Sequence, residues 1–419
     1  MRAPSRTART AFALLAATTM LLAAGCGRSN SSSSSSAGGS NDPGITDTTL
    51  DIGQSDPLTG PTAAPGSCNL AGWQAYVGHV NAQGGVKFGD GKTRKINLKG
   101  YDDGYDPARA LANFRQMVAE NKFAEVGSLG TPTNLAAMPQ ANAQKVPQVM
   151  LSSGSTAFVN QTKNPWTTGW PPTYLDEGTN FGKFLAASGK PLTVAVLAQN
   201  DQLGLDYTKG LEDAVQGSQV KVVAKATYEP TDATVDSQIS NLAQSKADIF
   251  YAAISVLKLA AASLTKAQQL GWKPSIFLAS LSSNPAQVIV PGNGTAYPAI
   301  WSTTYIKDWR NPDVAKQSDV AQFLQDMQTY ASNIAQKDII NNCLWGYSAA
   351  ATFVRALQAM KAPTRQALMD AIHTVKANDI PLLLPGITLD ASSKTTAPIT
   401  TLKIQQYING AYTTVDTMK

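Results

Sequence analysis

The chain has 419 residues, with 34 Lys and Arg against 29 Asp and Glu, and a hydrophobic share of 43% that is ample for a large fold. Its formal charge is only +5, and no basic run with interleaved aromatics occurs, so nucleic acid is excluded as an expected partner. With an apolar leader and a Ser/Gly stretch set aside, roughly 370 residues remain, more than one hydrophobic core normally serves, which predicts two lobes.

The leader opens with Arg2, Arg6 and Arg9 and no acid, then runs apolar through AFALLAATTMLLAAGC. That is a charged n-region followed by an h-region, too short and alanine-rich for a comfortable membrane span. Leu22-Ala23-Ala24-Gly25-Cys26 resembles the bacterial lipobox, with its leucine one place earlier than the commonest pattern. The resemblance implies that residues 1–26 are a lipoprotein signal peptide, with Cys26 acylated and the body anchored to the outer face of the cell membrane. The alternative is an ordinary cleaved signal with an incidental cysteine. GRSNSSSSSSAGGSNDPG comes next, with almost nothing to bury, so residues 27–47 read as a solvated tether. Such a coil spans about 20 to 25 Å root-mean-square. Lipidation of Cys26 would leave Cys68 and Cys343 as an even pair in an oxidising compartment, expected as a disulfide, with two buried free thiols as the alternative.

From Thr48 the pattern is strand, turn, helix, repeated. TLDIGQS alternates as a half-buried strand, SDPLTGPTAAPGS is a Pro/Gly/Ser loop, and NLAGWQAYVGHVNAQGG is helical up to Gly84-Gly85. KINLKGYDD is a second strand, and Asp106-Pro107 reads as an N-cap with proline at N1 of a helix through Glu120. FAEVGSLG gives a third strand, Thr131 to Asn142 a helix, and VPQVMLSSGS a fourth strand. Past Trp166 the alternation restarts: helices 176–187, 206–216, 235–245 and 257–270 interleave with strands LTVAVLAQ, VKVVAKATY, ADIFYAAI and SIFLAS. Two consecutive βα series predict two doubly wound parallel-sheet lobes, hence an α/β fold. The last third is less regular, with strand-like AIWSTTYI, helices 314–330 and 344–360, and short strands ITLD and TLKIQQY, as suits a chain crossing back between lobes. The expected division is 48–165 with about 300–375 for one lobe, and 166–299 with about 376–419 for the other.

Ligands of open α/β sheets sit outside the carboxyl ends of the strands. The loops concerned are 55–64, 127–133 and 152–156 in the first lobe and 199–206 in the second. All are small, polar and glycine-bearing. Turn residues are needed there in any α/β fold, so composition alone leaves the bland reading open.

SDPLTGPTAAPG, VGSLGTPTN, PQVMLSSGS, PWTTGWPPTYLDEGTNFGKFL, VLAQNDQLGLDYTKGL and ADIFYAAISVLKLAAASLTKAQQLGWKP together resemble the branched-chain amino-acid and amide binding proteins of ABC importers. The blocks keep that family's order, and the likeness runs from Thr48 to about Lys419. It implies a type I periplasmic-binding-protein fold: two α/β lobes joined by three crossovers, closing on a small solute and delivering it to an ABC permease. It also implies a monomer with no cofactor and no metal. Carried over, Leu58, Thr59 and Ala63 match the first-lobe loop that lines the cleft. Thr131 matches a hydroxyl that binds the solute's carboxylate, and Ser153, Gly154 and Ser155 match the next strand-end loop. Trp170 and Tyr174 match a segment facing the cleft, and Tyr251 and Ser255 flank a further contact region. Leu203 stands where amino-acid binders usually carry an aromatic. Ala279 to Ser283 stand where those binders carry an acid for the α-ammonium, so an amino-acid ligand requires Asp201, Asp176 or Glu177 to substitute. An amide or a small aromatic acid fits the same residues.

Enzyme is the rival class. There is no GxSxG elbow, no HExxH and no Walker loop, and the two histidines, His79 and His373, fall in predicted helices far apart. An extracellular hydrolase is therefore the weaker alternative. Asp102, Asp103 and Asp106 could be imagined as a metal site, but Pro107 favours the helix cap. Trp73, Trp272, Trp309 and Trp345 read as packing, and Trp301 as packing or a cleft or hinge contact. A sensory role, with a solute reported to a membrane receptor, uses the same ligand-driven closure as uptake.

Overall fold

The computed structural model describes residues 41–418. The leader, Cys26 and residues 27–40 of the tether lie outside the described residues. Two largely parallel sheets carry the rest. The first contains β1 (Thr49–Asp56), β2 (Val86–Lys87), β3 (Thr93–Asp102), β4 (Glu125–Val126), β5 (Gln148–Leu151) and β6 (Thr167–Gly169), in the order β2-β3-β1-β4-β5-β6. The chain then supplies β7 (Thr193–Gln199), β8 (Lys221–Tyr228), β9 (Ile249–Ala253), β10 (Ser275–Leu278) and β11 (Ile300–Thr304) to the second sheet. A small antiparallel pair comes after them, β12 (Lys376–Ala377) and β13 (Leu389–Asp390), and then β14 (Lys403–Ile408) and β15 (Ala411–Val415). The second sheet runs β15-β14-β11-β10-β9-β7-β8, with β14 antiparallel to β11.

Each sheet winds outward from its first strand in both directions: β3 and β4 flank β1, and β8 and β9 flank β7. The order therefore reverses between β1 and β4 and again between β7 and β9. Loops leaving those paired strands diverge to opposite faces and leave a crevice at the carboxyl edge. Strands β9 and β10 are almost wholly buried, and so read as continuous apolar runs rather than alternating ones.

Helices α1 (Ala63–Ala82), α2 (Pro107–Ala119) and α3 (Thr131–Gln144) belong to the first lobe, and α4 (Tyr174–Ala187), α5 (Gln202–Val215), α6 (Asp236–Ala243) and α7 (Leu257–Gln269) to the second. Asp106 caps α2, accepting from the Arg109 amide at 2.8 Å, with Pro107 at N1 as the sequence predicts. Two starts lie earlier than predicted. Thr173 caps α4, accepting from the Asp176 amide at 3.0 Å, and Asp201 caps α5, accepting from the Leu203 amide at 2.9 Å. In both, an acid expected to open the helix sits within its first turns.

After β11 the chain returns through α8 (Pro312–Ala315), α9 (Ser318–Tyr330), α10 (Asn341–Ala359) and α11 (Arg365–Ile372). Helices α9 and α10 pack on α1 of the first lobe, and the final strands go back to the second sheet, which makes three crossings in all. Two strands differ from the expected lobe division. Ile300–Thr304 pairs in the second sheet and Thr167–Gly169 in the first, because each ladder is completed before the chain crosses.

Helices α1 and α10 approach closely because glycines face each other's backbone. A Cβ at Gly72 would lie 2.1 Å from the Cys343 carbonyl oxygen, and one at Gly346 would lie 2.2 Å from that of Asn69. The Cys68–Cys343 disulfide staples the same pair of helices, across 275 residues of sequence.

Candidate functional site

Both reversal points open onto one cavity. Its lining comes from the start of α1 (Thr62, Pro65), the turn at Tyr105, the loop after β4 (Leu129, Gly130) and Ser152 after β5. Across the gap stand Tyr174, Leu203, Ser255 and Leu281, and Asn342 and Trp345 of α10 close one side. The non-atom space of this cavity, open solvent included, is about 410 Å³.

Buried carboxyls hold the first-lobe loops. Asp56, at the end of β1, accepts from Asn69 Nδ2 at 2.9 Å and from the Leu129 amide at 3.1 Å, tying α1 and the post-β4 loop to the sheet edge. Asp103 accepts from Ser55 Oγ at 2.8 Å and from the Tyr105 amide at 2.8 Å, which fixes the turn presenting Tyr105. Burial pushes all three interior acids here upward: Asp56 well above the usual carboxylate range, Asp103 to about 6 and Glu125 to about 7. Asp102 behaves oppositely. Partial burial works against it, but hydrogen bonds from Thr59, the Leu58 amide and Arg109 hold it down at about 2.

The expected contact residues divide into three groups. Tyr174, Leu203 and Ser255 line the cavity. Thr131, Ser153, Gly154 and Ser155 lie immediately behind its wall. The Thr131 and Ser153 hydroxyls bond each other at 2.8 Å, Ser155 Oγ accepts from the Ala157 amide at 3.3 Å, and the Gly154 carbonyl accepts from the Tyr174 amide at 2.7 Å. A Cβ at Gly154 would come within 2.9 Å of the Tyr174 ring, so this glycine lets the aromatic lie flat on the loop. The remainder are not brought to the cavity. Leu58 and Thr59 donate their amides to Asp102 on the rim, and Ala63 is a half-buried first residue of α1. Trp170 is buried and donates its indole N–H to Thr352 Oγ1 at 2.9 Å. Tyr251 is buried in the second lobe's core, its hydroxyl donating to the Tyr207 carbonyl at 3.3 Å.

None of the three acids considered as partners for an ammonium lines the cavity. Glu177 accepts from Ser280 Oγ at 2.8 Å, from the Ser280 amide and from Thr303 Oγ1, inside the second lobe. Asp201 caps α5 and accepts from Gln199 Nε2 at 2.7 Å, and Asp176 accepts from Thr173 Oγ1 at 2.6 Å.

Two residue pairs, Asp206 with Thr156 and Gln199 with Tyr105, bond across the gap between lobes. Asp206 accepts from the Thr156 amide at 2.8 Å and from Thr156 Oγ1 at 2.9 Å, and Gln199 Nε2 reaches the Tyr105 hydroxyl at 3.4 Å. Gln199 also accepts from the Tyr228 and Ser255 hydroxyls, so Tyr105 of one lobe meets a polar chain from the other.

Sequence reasoning missed Tyr105, Asn342 and Trp345, and reached Thr62 only as part of the 55–64 loop. Trp345, read as packing, lines the cavity, while Trp301 packs edge-on against Phe184 at 5.7 Å in the second lobe. One signal was available: a disulfide between Cys68 and Cys343 places their neighbours, Pro65 one way and Asn342 and Trp345 the other, side by side.

The model of the periplasmic binding protein family matches residues 49–411. The leucine-, isoleucine-, valine-, threonine- and alanine-binding protein of Pseudomonas aeruginosa is 25% identical over 207 residues, 48% of this chain and 53% of that protein. The Leu/Ile/Val-binding protein of Escherichia coli is 22% identical over 168 residues, 40% of this chain and 44% of that protein. The chain thus spans about half the length of the curated relatives it matches. Among solved structures, a fatty acid ABC transporter substrate-binding protein from Thermomonospora curvata superposes with a TM-score of 0.74 at 22% identity, covering 90% of this chain and 94% of that one. A solute-binding protein from R. palustris in complex with benzoate gives a TM-score of 0.71 at 16% identity, covering 88% and 95%. With the match spanning nearly the whole described body, and with two α/β lobes joined by three crossings, the chain belongs to the periplasmic binding protein family and has its type I fold.

Proposed function

We propose that this chain is the extracytoplasmic substrate-binding component of an ABC importer. It captures one small solute in the cavity between its lobes and delivers it, chemically unchanged, to a membrane permease. The observation that carries this reading is a single cavity lined from both reversal points at once, so that a bound molecule is gripped by both lobes. The Thr156–Asp206 and Tyr105–Gln199 bonds are contacts that exist only while the lobes are together, and ligand binding would shift the population toward that form. The proteins it resembles carry the names of amino-acid binders and, among structures, of binders of fatty acid and benzoate. The body would work as a monomer tethered through acylated Cys26. Acyl chains contribute about 0.8 kcal/mol per buried methylene, and more than one chain makes the attachment lasting.

A thermal-shift screen of amino acids, amides and small organic acids on the purified body tests the reading. One chemical class should raise the midpoint in a concentration-dependent way, and the compound should be recovered intact. Turnover of the compound, or no stabilisation by any class, would rule it out.

A further inference from the structure

The cavity's lining carries polar groups that meet no partner, one of them on α10, far from any strand end. Thr62 is the N-cap residue of α1, yet its hydroxyl makes no cap bond. A threonine in that place ordinarily accepts from an amide of the first turn. Here Thr62 Oγ1 is buried with no partner, and so is Trp345 Nε1. Asn342, 4% exposed, joins them in the lining. Asn342 and Trp345 are three apart on α10 and so share one helix face. All three residues line the same cavity. A buried donor or acceptor left unmet is destabilising, so two in the wall of one cavity mark a place prepared for a molecule that meets them.

The rest of the lining is different in kind. Leu203 and Leu281 belong to it, and the Ser255 hydroxyl is already given to Gln199. Tyr105 and Tyr174 flank the space, each seated against a glycine, Gly130 and Gly154, whose missing side chains let the rings lie close to the loops. No lining residue is acidic or basic. A buried ion without a counter-charge costs several kcal/mol, so neither an ammonium nor a carboxylate is matched by this wall.

We infer that Thr62, Asn342 and Trp345 form the recognition pole of the cavity and that the solute is uncharged, with one hydrogen-bonding head at that pole and a compact apolar body between the two tyrosines and two leucines. The inference rests on the solute-binding reading above and narrows it. The Thr131–Ser153 hydroxyl pair does not supply this pole, because neither residue is in the cavity's lining. The disulfide is part of the site's construction, since it joins the two helices that carry the pole. Asn342 offers both a donor and an acceptor, the indole a donor, and the threonine either, a set that reads a head such as a carboxamide, lactam or vicinal hydroxyls.

The test is a thermal-shift screen of the full body against sets matched in carbon skeleton, each containing an uncharged amide or alcohol, the corresponding carboxylate and the corresponding α-amino acid. Calorimetry on the strongest binder would come next, with wild type, Trp345→Phe, Thr62→Val and Leu203→Ala. The strongest binder should be uncharged and at least tenfold tighter than its charged counterparts. Trp345→Phe and Thr62→Val should each weaken it roughly tenfold while the unliganded melting temperature stays within a few degrees. A charged strongest binder would overturn the solute class and leave solute binding intact. Unchanged affinity in both pole variants, with Leu203→Ala weakened, would overturn the pole. No binder from any set would remove the solute-binding reading itself.

Discussion

Asp206 of the second lobe accepts both the amide and the hydroxyl of Thr156 from the first, at 2.8 and 2.9 Å. Asp206 is 4% exposed, so this two-point bond is shielded from competing water. Hydrogen bonds to an ionised group contribute about 1.5 to 3 kcal/mol each, and these two exist only with the lobes together. Asp206→Ala should therefore weaken solute affinity by roughly tenfold or more and enlarge the solute-free molecule in small-angle scattering. Equal radii and equal affinity would show that the lobes stay together without it.

Reduction of the staple between α1 and α10 should be felt twice. Replacing Cys68 and Cys343 with serine should lower unfolding free energy by about 2 to 5 kcal/mol, measured by denaturant titration. Because Asn342 and Trp345 flank Cys343 on α10, the same variant should lose affinity in calorimetry even at temperatures where it is fully folded.

Thr131→Ala removes one half of a buried hydroxyl pair and leaves Ser153 Oγ without that partner. The expected result is a stability loss of about 1 kcal/mol with a smaller effect on solute affinity than Thr62→Val produces. A larger effect on affinity than on stability would place Thr131 in contact with the solute.

The interior acids of the first lobe give stability an acidic optimum. Burial raises Asp103 to about 6, Glu125 to about 7 and Asp56 well above its ordinary value, so the folded chain holds protons that the unfolded chain has released. Their contribution is complete below the ordinary carboxylate range and is lost as pH rises through about 6 to 7. Asp102, held at about 2, works the other way, and its contribution is lost as pH falls below about 4. Unfolding free energy should thus decline between about pH 5 and pH 8, and Glu125→Gln, which mimics the protonated acid, should flatten that decline. A wild-type slope of the opposite sign would contradict the protonated assignment.

Much of the fold was legible because it is local. The proline after Asp106 and the apolar runs IFYAA and SIFL announce a cap and two buried strands without reference to the rest of the chain. Lobe membership of Ile300–Thr304 was not legible, because a short buried strand suits either sheet and only its pairing with β10 decides. Strand β15 went unread for a similar reason: AYTTV is polar and half-exposed, and it is a strand because β14 precedes it in a hairpin. The site divides the same way. Tyr174, Leu203 and Ser255 lie just past strand ends and were found, whereas Trp345 shares a cavity with Thr62 only because two helices 275 residues apart at their cysteines lie against each other. Tyr251 and Trp170 were misplaced because a large aromatic near a strand end serves a core as readily as a cleft.

The two sheets share one winding pattern, and each presents to the gap the connections that leave its strand ends. Selectivity is therefore concentrated in a few short segments, while the strands behind them act as an inert frame. Retuning this molecule for a different guest should require edits confined to those connections and to one turn of α10, and the two halves could be altered in separate rounds.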